Sequence, residues 1–268
     1  MIDDVDFFSG GIMSWALAKR VADKYSTDGT RLRLLFTDTK IEHEDLYRFL
    51  HEAAENVGGE LIIIADGRTP WEVFKDERML GNTRADPCSK ILKRELSKKW
   101  VYDNYPDPDT VRLWIGMNWD EEHRLKRSMM YWAPYQVGSL LLDSPWMIPK
   151  DYLRILQEKH GIEPPLLYKL GFPHNNCGGG CVKAGQAHFR HLLEVLPETY
   201  AEWERNEEEM RQYLGKDISI LRDRTGGTTT PLTLKQLRQR GEDQCNMFEW
   251  GGCGCFGDMP DEELSGEA

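Results

Sequence analysis

The sequence has no apolar run of eighteen residues, the length a helix needs to cross a bilayer, so no transmembrane segment is expected. Its first residues, Met-Ile-Asp-Asp, carry neither the basic stretch nor the apolar core of a secretory signal. A soluble, cytoplasmic protein with no membrane partner is therefore expected. An excess of base is also missing: 34 Lys and Arg stand against 45 Asp and Glu, a net charge of −11. A sequence-independent coat on nucleic acid needs a broad basic surface, so that class is disfavoured, while a local basic patch is not. There is no internal repeat and no Cys-x-x-Cys pair. Only six cysteines occur in 268 residues: Cys88, Cys177, Cys181, Cys245, Cys253 and Cys255. In a reducing compartment these are expected to be thiols or metal ligands rather than disulfides.

What is present is an alternation. Residues 2–8, 31–38, 60–66 and 111–116 read as strands; residues 12–24, 44–58 and 87–103 read as helices. Strands alternating with helices imply βαβ units and a mostly parallel sheet, which binds ligands beyond the carboxyl ends of its strands. The expected fold is α/β, a mostly parallel doubly wound sheet over residues 1–150. From about residue 150 the pattern changes to helical stretches (151–160, 186–214 and 232–240) and glycine-rich loops. Residues 151–257 are expected to form a helical, glycine- and cysteine-rich region packed on the first. Residues 258–268 hold five acids and no base, and are expected to be a disordered tail. On the 87–103 helix, Leu92, Leu96 and Trp100 are expected to form the buried stripe. Lys90, Arg94 and Lys98 would then form a solvated face or one that meets a polyphosphate or RNA backbone.

Within this frame one stretch carries chemistry: VDFFSGGIMSWALAKR, residues 5–20. An apolar run stops at Ser9-Gly10-Gly11, Ser14 follows, and a helical pattern begins. A strand that turns through glycines into a helix presents backbone N–H groups and the positive end of the helix to an anion. Glycine lets the backbone approach a phosphate closely, and Gly11 is expected to do so with a positive φ. Ser9 and Ser14 add hydroxyl donors. The plainer alternative is a turn with a serine cap. The turn fits neither Gly-x-x-x-x-Gly-Lys-[Ser/Thr] nor Gly-x-Gly-x-x-Gly.

The pattern Ser-Gly-Gly-x-x-Ser instead resembles the pyrophosphate loop of the PP-loop (adenine-nucleotide alpha-hydrolase-like) superfamily. Four further segments, in the same order, resemble its phosphoadenylyl-sulfate (PAPS) reductase-like branch. LLFTDTKIEHEDLYRF (34–49) is similar to the second-strand motif, with Asp38, Thr39 and Glu42 matching. ADPCSKILKREL (85–96) is similar to the Cys-x-x-x-x-Lys helix. IGMNWDEEHR (115–124) is similar to a segment in which Gly116, Glu121 and Arg124 match. PPLLYKLGFPHNNCGGGC (164–181) is similar to the Pro-Leu-Tyr-x-x-Gly-Phe segment and its cysteine. The resemblance covers roughly residues 3–185. It implies a sheet of the PP-loop (HUP-type) kind. It also implies an enzyme that cleaves ATP between the α and β phosphates, transfers AMP to a substrate oxygen, and lets a nitrogen or sulfur nucleophile displace it. The implied nucleotide-binding residues are Ser9, Gly10, Gly11, Ser14, Asp38, Thr39, Gly116, Glu121 and Arg124. They would hold ATP or another adenine nucleotide with Mg²⁺. Asp38 is a candidate catalytic and magnesium-binding carboxylate, or alternatively the N-cap of the following helix.

Cys88 follows Pro87 at an expected helix start, where the helix terminus, Lys90 and Lys93 favour a thiolate. It is a candidate catalytic, sulfur-handling thiol, or else a small apolar residue packed under the helix. Cys177 and Cys181 flank three glycines, and Cys253 and Cys255 flank Gly254. Two such close pairs can bring four thiolates to one metal centre, zinc or iron–sulfur. The branches resembled here often carry a [4Fe-4S] cluster, which is preferred, with zinc as the alternative. In a second arrangement Cys88 completes the cluster and one late cysteine is left for sulfur transfer. Cys245 is the spare, and Trp250 and Phe256 would shield the centre from water.

The expected function is an ATP-dependent sulfurtransferase that adenylates and thiolates a substrate, a nucleobase being one candidate. An adenylyl-sulfate or phosphoadenylyl-sulfate reductase that releases sulfite is the alternative, although the Glu-Cys-Gly terminus and the Cys-Cys pair of those enzymes are absent. A non-enzymatic nucleotide- and cluster-binding module is the third reading. The partners expected are an adenine nucleotide, a sulfur-donor or electron-donor protein and a nucleobase or nucleic-acid acceptor, with a homodimer left open.

Overall fold

A computed structural model describes residues 2–25, 29–82, 85–224, 227–240 and 250–251. Five strands, β1 (Asp3–Phe7), β2 (Leu32–Thr37), β3 (Glu60–Ile64), β4 (Val111–Trp114) and β5 (Gln136–Gly138), form an all-parallel sheet in the order β3-β2-β1-β4-β5. The chain builds outward from β1 in one direction through β2 and β3, then in the other through β4 and β5. The β1–β4 boundary is therefore the topological switch point, where a parallel sheet opens a crevice at its carboxyl edge.

The central strand β1 is buried on both faces, as a parallel strand is when helices cover both sides, while the edge strand β3 is only partly covered. Val5 and Phe7 of β1 enter one core with Leu35, Val101, Leu113 and Trp132. Phe8, Leu34, Phe36 and Trp114 face the other, under α1 (Ile12–Tyr25), α2 (Glu44–Val57) and α7 (Pro149–His160). The first core is closed by α5 (Leu96–Asn104) and α6 (Glu122–Trp132). This is the doubly wound arrangement expected. The strand β1 also buries three acids. Asp3 accepts from Arg31 and Tyr105, and Asp4 from Arg112 and Trp114. Asp6 has no hydrogen-bond partner among the described residues; burial pushes its carboxyl well above the ordinary value.

The helix expected over 87–103 is present but not regular. It opens with α4 (Pro87–Ser89), passes through a π-helical segment (Lys90–Glu95) and continues as α5. A π-helix spaces its bonds i to i+5, so the buried stripe shifts by one residue: Leu92, Ser97 and Val101 are buried, not Leu92, Leu96 and Trp100. The same shift corrects the basic face. Arg94 is only 1 % exposed and lies 3.8 Å from the Asp86 carboxylate. Lys98 packs over the Tyr131 ring at 4.2 Å.

The remaining elements are α3 (Pro70–Asp76), α8 (Leu166–Lys169), α9 (Gln186–Val195), α10 (Pro197–Leu214), a hairpin of β6 (Leu221–Asp223) and β7 (Thr230–Leu232), and α11 (Leu234–Gln239). The helix expected over 186–214 is two helices. Pro197 opens the second because proline has no N–H to continue the first. The hairpin corrects the expectation that strands end near residue 150; its strands are three residues each, too short to leave a pattern. Glu207 of α10 is 1 % exposed and accepts from the Ile220 and Leu234 backbone N–H groups at 2.9 and 2.6 Å, tying the hairpin to α11. These elements share a core with Trp71, Phe74 and Leu80. Among the described residues no helix is long and apolar enough to cross a membrane. The tail expected over 258–268 lies outside the described residues.

Candidate functional site

The glycine turn sits at the switch point. Ser9, Gly11, Ile12 and Ser14 line a cavity of about 350 Å³ with Gly116, Met117, Asn118, Glu121 and Arg124 from beyond β4. Six residues of the expected nucleotide set thus share one wall. A Cβ on Gly116 would stand 3.2 Å from the Ser14 backbone N and Cα, so a side chain there would push the segment after β4 a few tenths of an ångström off the start of α1. Gly10, not Gly11, takes the positive φ (+74°), and its carbonyl accepts from the buried Asn175 side chain at 2.9 Å. A Cβ on Gly11 would meet only the Ser9 and Tyr168 hydroxyls at 3.4 Å. The serine hydroxyls bond within the turn: Ser14 donates to the Gly11 carbonyl at 2.8 Å, and Ser9 to Ser14 at 3.3 Å. Glu121 pairs with Arg124 and accepts from the Asn118 backbone N–H at 3.0 Å.

This geometry separates two variants. Gly11→Val should leave the melting temperature within a few degrees and place methyl groups in the cavity, weakening ATP affinity at least about tenfold. Gly10→Ala should lower stability by about 1 kcal/mol or more through its left-handed φ and the 3.1 Å approach to Leu46. Thermal melts beside calorimetric titration with ATP check both.

Asp38 does not line this cavity. Its carboxylate, 5 % exposed, accepts from the Lys40 backbone at 2.8 Å, the Lys40 ammonium at 2.9 Å and the Tyr47 hydroxyl at 2.9 Å. Burial alone would raise its pKa, but the bonds from Lys40 and Tyr47 outweigh burial and hold it below the ordinary carboxylate value. Nor is Asp38 an N-cap: that position of α2 is His43. Thr39 is turned to a second cavity and donates to Glu42 at 2.8 Å.

That second cavity is small, about 20 Å³, and mostly apolar. Cys88, Cys177 and Cys181 all line it, with Thr39, Lys93 and Lys183. Sequence spacing paired Cys177 with Cys181; the fold adds Cys88, delivered by α4. The cysteine loop is held in place by Glu42, whose carboxylate accepts from the Cys177 backbone N–H at 2.5 Å. Cys177 and Gly178 both take positive φ, and a Cβ on Gly178 would stand 2.7 Å from the Ile41 carbonyl. The loop is thus strained to fit against the end of β2. Lys183 lies 3.6 Å from the Asp86 carboxylate.

Lys93 lines both cavities. It is 7 % exposed and sits in the π-helical segment, a distortion frequent at functional sites. Cys245, Cys253, Cys255 and Phe256 lie outside the described residues. The chain nevertheless returns beside the cysteine loop: Gly251 bridges Ala184, and Gly185 donates to the Trp250 carbonyl at 2.9 Å. Trp250 packs against His188 and His191. Both histidines point a ring nitrogen at a backbone carbonyl, of Gly179 and Leu170 respectively. Among the described residues no group of three or more His, Cys, Asp or Glu side chains is arranged to hold a metal ion.

Asn175 and Asn176 were given no part in the motif reading, and Tyr168, the tyrosine of the Pro-Leu-Tyr-x-x-Gly-Phe segment, was given no site role there. All three lie in the segment before the cysteines and line the first cavity. Their signal was proximity to those cysteines; the contact with a loop more than 150 residues away was not in the pattern. No family model matches the chain, and no curated protein matches it.

Proposed function

We propose that this chain is a PP-loop-type enzyme that adenylates an acceptor with ATP and then transfers sulfur to it. The observation that carries the reading is that Lys93 lines both the cavity at the glycine turn and the cavity of three cysteines. Nucleotide chemistry and thiol chemistry are thereby adjacent. In the first step an acceptor oxygen attacks the α phosphorus, the bond to the β-phosphate bridging oxygen breaks, and pyrophosphate leaves. Charge builds on the departing oxygens. The N–H groups at the start of α1, the Ser9 and Ser14 hydroxyls and the Lys93 ammonium are placed to offset it, with Mg²⁺ entering as part of the nucleotide. In the second step a sulfur nucleophile displaces AMP from the acceptor.

The donor set of the second cavity fits a thiolate-held centre in kind. Three cysteines line one apolar cavity with Lys93 and Lys183, although as they stand in the fold they are not arranged to hold a metal ion, so the fit is in donor type alone. Cys88, Cys177 and Cys181 would hold a [4Fe-4S] cluster together with Cys253 or Cys255, the former two residues beyond Gly251. When bound, the cluster supplies a centre that holds sulfur or passes electrons. This is the second of the two arrangements read from the sequence, with Cys88 among the ligands and one late cysteine left over.

With ATP, Mg²⁺, a sulfide source and a nucleobase-bearing acceptor, pyrophosphate should form in step with thiolated product. Lys93→Met should lower that rate about 100-fold, the scale for removing one preorganised donor to developing charge. Asp38→Asn, off the cavity wall, should lower it less. Sulfite formed from a sulfonucleotide at a rate independent of ATP would replace this reading with the reductase one.

A further inference from the structure

The start of α1 meets a hydroxyl from the far side of the sequence. The Ile12 backbone N–H donates to the Tyr168 hydroxyl at 3.1 Å. Tyr168 lies on α8, 156 residues away, and its hydroxyl stands where a Cβ on Gly11 would be 3.4 Å from it. The phenol therefore lies on the glycine turn itself, on the wall of the 350 Å³ cavity. A hydroxyl carries one proton and two lone pairs. One lone pair takes the Ile12 N–H, while among the described residues no acceptor takes the Tyr168 proton. The same segment also grips the turn from the other side, through Asn175 and the Gly10 carbonyl. Two bonds thus hold residues 168–175 over the turn and fix where the phenol sits.

We propose that Tyr168 is a phosphate-binding residue of this cavity: it accepts the Ile12 N–H and donates its own O–H to a pyrophosphate-bearing anion. The helix start then reaches the anion through the phenol, as well as through the N–H groups that follow. Burial pushes the Tyr168 hydroxyl up to about 12, so it keeps its proton at neutral pH and acts as a neutral donor. This inference rests on the reading of the glycine turn as a phosphate site.

Tyr168→Phe keeps the ring and removes the relay. Calorimetric titrations of inorganic pyrophosphate, ATP with Mg²⁺, and adenosine into the wild-type chain and this variant test the proposal. The expected result is about tenfold weaker binding of pyrophosphate and ATP in the variant, with adenosine unchanged and the melting temperature within a few degrees. Tighter pyrophosphate binding in Tyr168→Phe would show that the phenol occupies the anion's place rather than holding it, and would overturn the proposal. Unchanged pyrophosphate affinity would overturn it too, while leaving the phosphate-site reading intact. If the wild-type chain itself binds neither ATP nor pyrophosphate, the phosphate-site reading fails and this inference falls with it.

Discussion

Serine in place of Cys88, Cys177 or Cys181 is expected to strip iron from the anaerobically purified chain and abolish sulfur transfer, while Cys245→Ser retains both. The three cysteines reach one cavity from two distant segments: α4, and the loop that Glu42 holds against the end of β2. Thiolate ligation of a cluster needs each donor at bonding distance, and a missing one leaves an open iron site. The loss should show as disappearance of the broad visible absorption, with far-ultraviolet circular dichroism of the α/β fold preserved. The parallel sheet does not depend on these side chains. Nucleotide binding should persist in all three variants, since none of the cysteines lines the first cavity. Full iron content in all three serine variants would remove the cysteine cavity from the account.

Glu207→Ala is expected to cost about 3–5 kcal/mol of unfolding free energy. The carboxylate is the acceptor for two backbone N–H groups in residues that are themselves fully buried, Ile220 and Leu234. Each N–H left without a partner costs about 1–3 kcal/mol, and the lost side chain leaves a cavity. The same group imposes a pH dependence. Desolvation by burial raises its pKa, against the lowering effect of the two N–H groups, to about 7 from an ordinary 4.5. Between those values the folded chain keeps a proton that the unfolded chain has released, so stability contributed by this group falls as pH rises from 4.5 to 7, then levels. Glu207→Gln cannot titrate and should lack that slope, while still losing about 1–3 kcal/mol because its amide N–H groups face an N–H donor. Chemical denaturation at pH 4.5, 6 and 7.5 measures both effects. Trp203, one helical turn earlier, lines the cysteine cavity, so unseating α10 should also loosen that wall.

The parallel sheet was legible because its strands read as apolar runs between helices, as in LRLLFT and in ELIII, although the edge strand ELIII is only partly covered. The short pieces were not. β5, β6 and β7 have three residues each, and their place comes from partners elsewhere in the chain. The face of the 87–103 helix was misread because the π-helical segment adds a residue to one turn, which no 3.6-residue pattern can anticipate. The glycine turn and Gly116 could be paired from their motifs, and the fold brings them to the wall of one cavity. Asp38 read as a site carboxylate because it ends a strand. It is engaged by Lys40, which takes a positive φ, and by Tyr47 from α2, contacts the sequence does not advertise. Cys88 beside the other cysteines was one of two arrangements open in the sequence, and the cavity wall it shares with Cys177 and Cys181 comes from tertiary structure.

The most direct measurement is the iron, sulfide and nucleotide content of the wild-type chain, purified without oxygen, incubated with ATP and Mg²⁺ and freed of unbound nucleotide. The account predicts ~4 iron and ~4 sulfide per chain, as for one four-iron cluster, together with about one adenine nucleotide in the switch-point crevice. A chain that holds neither iron nor nucleotide under these conditions would contradict it.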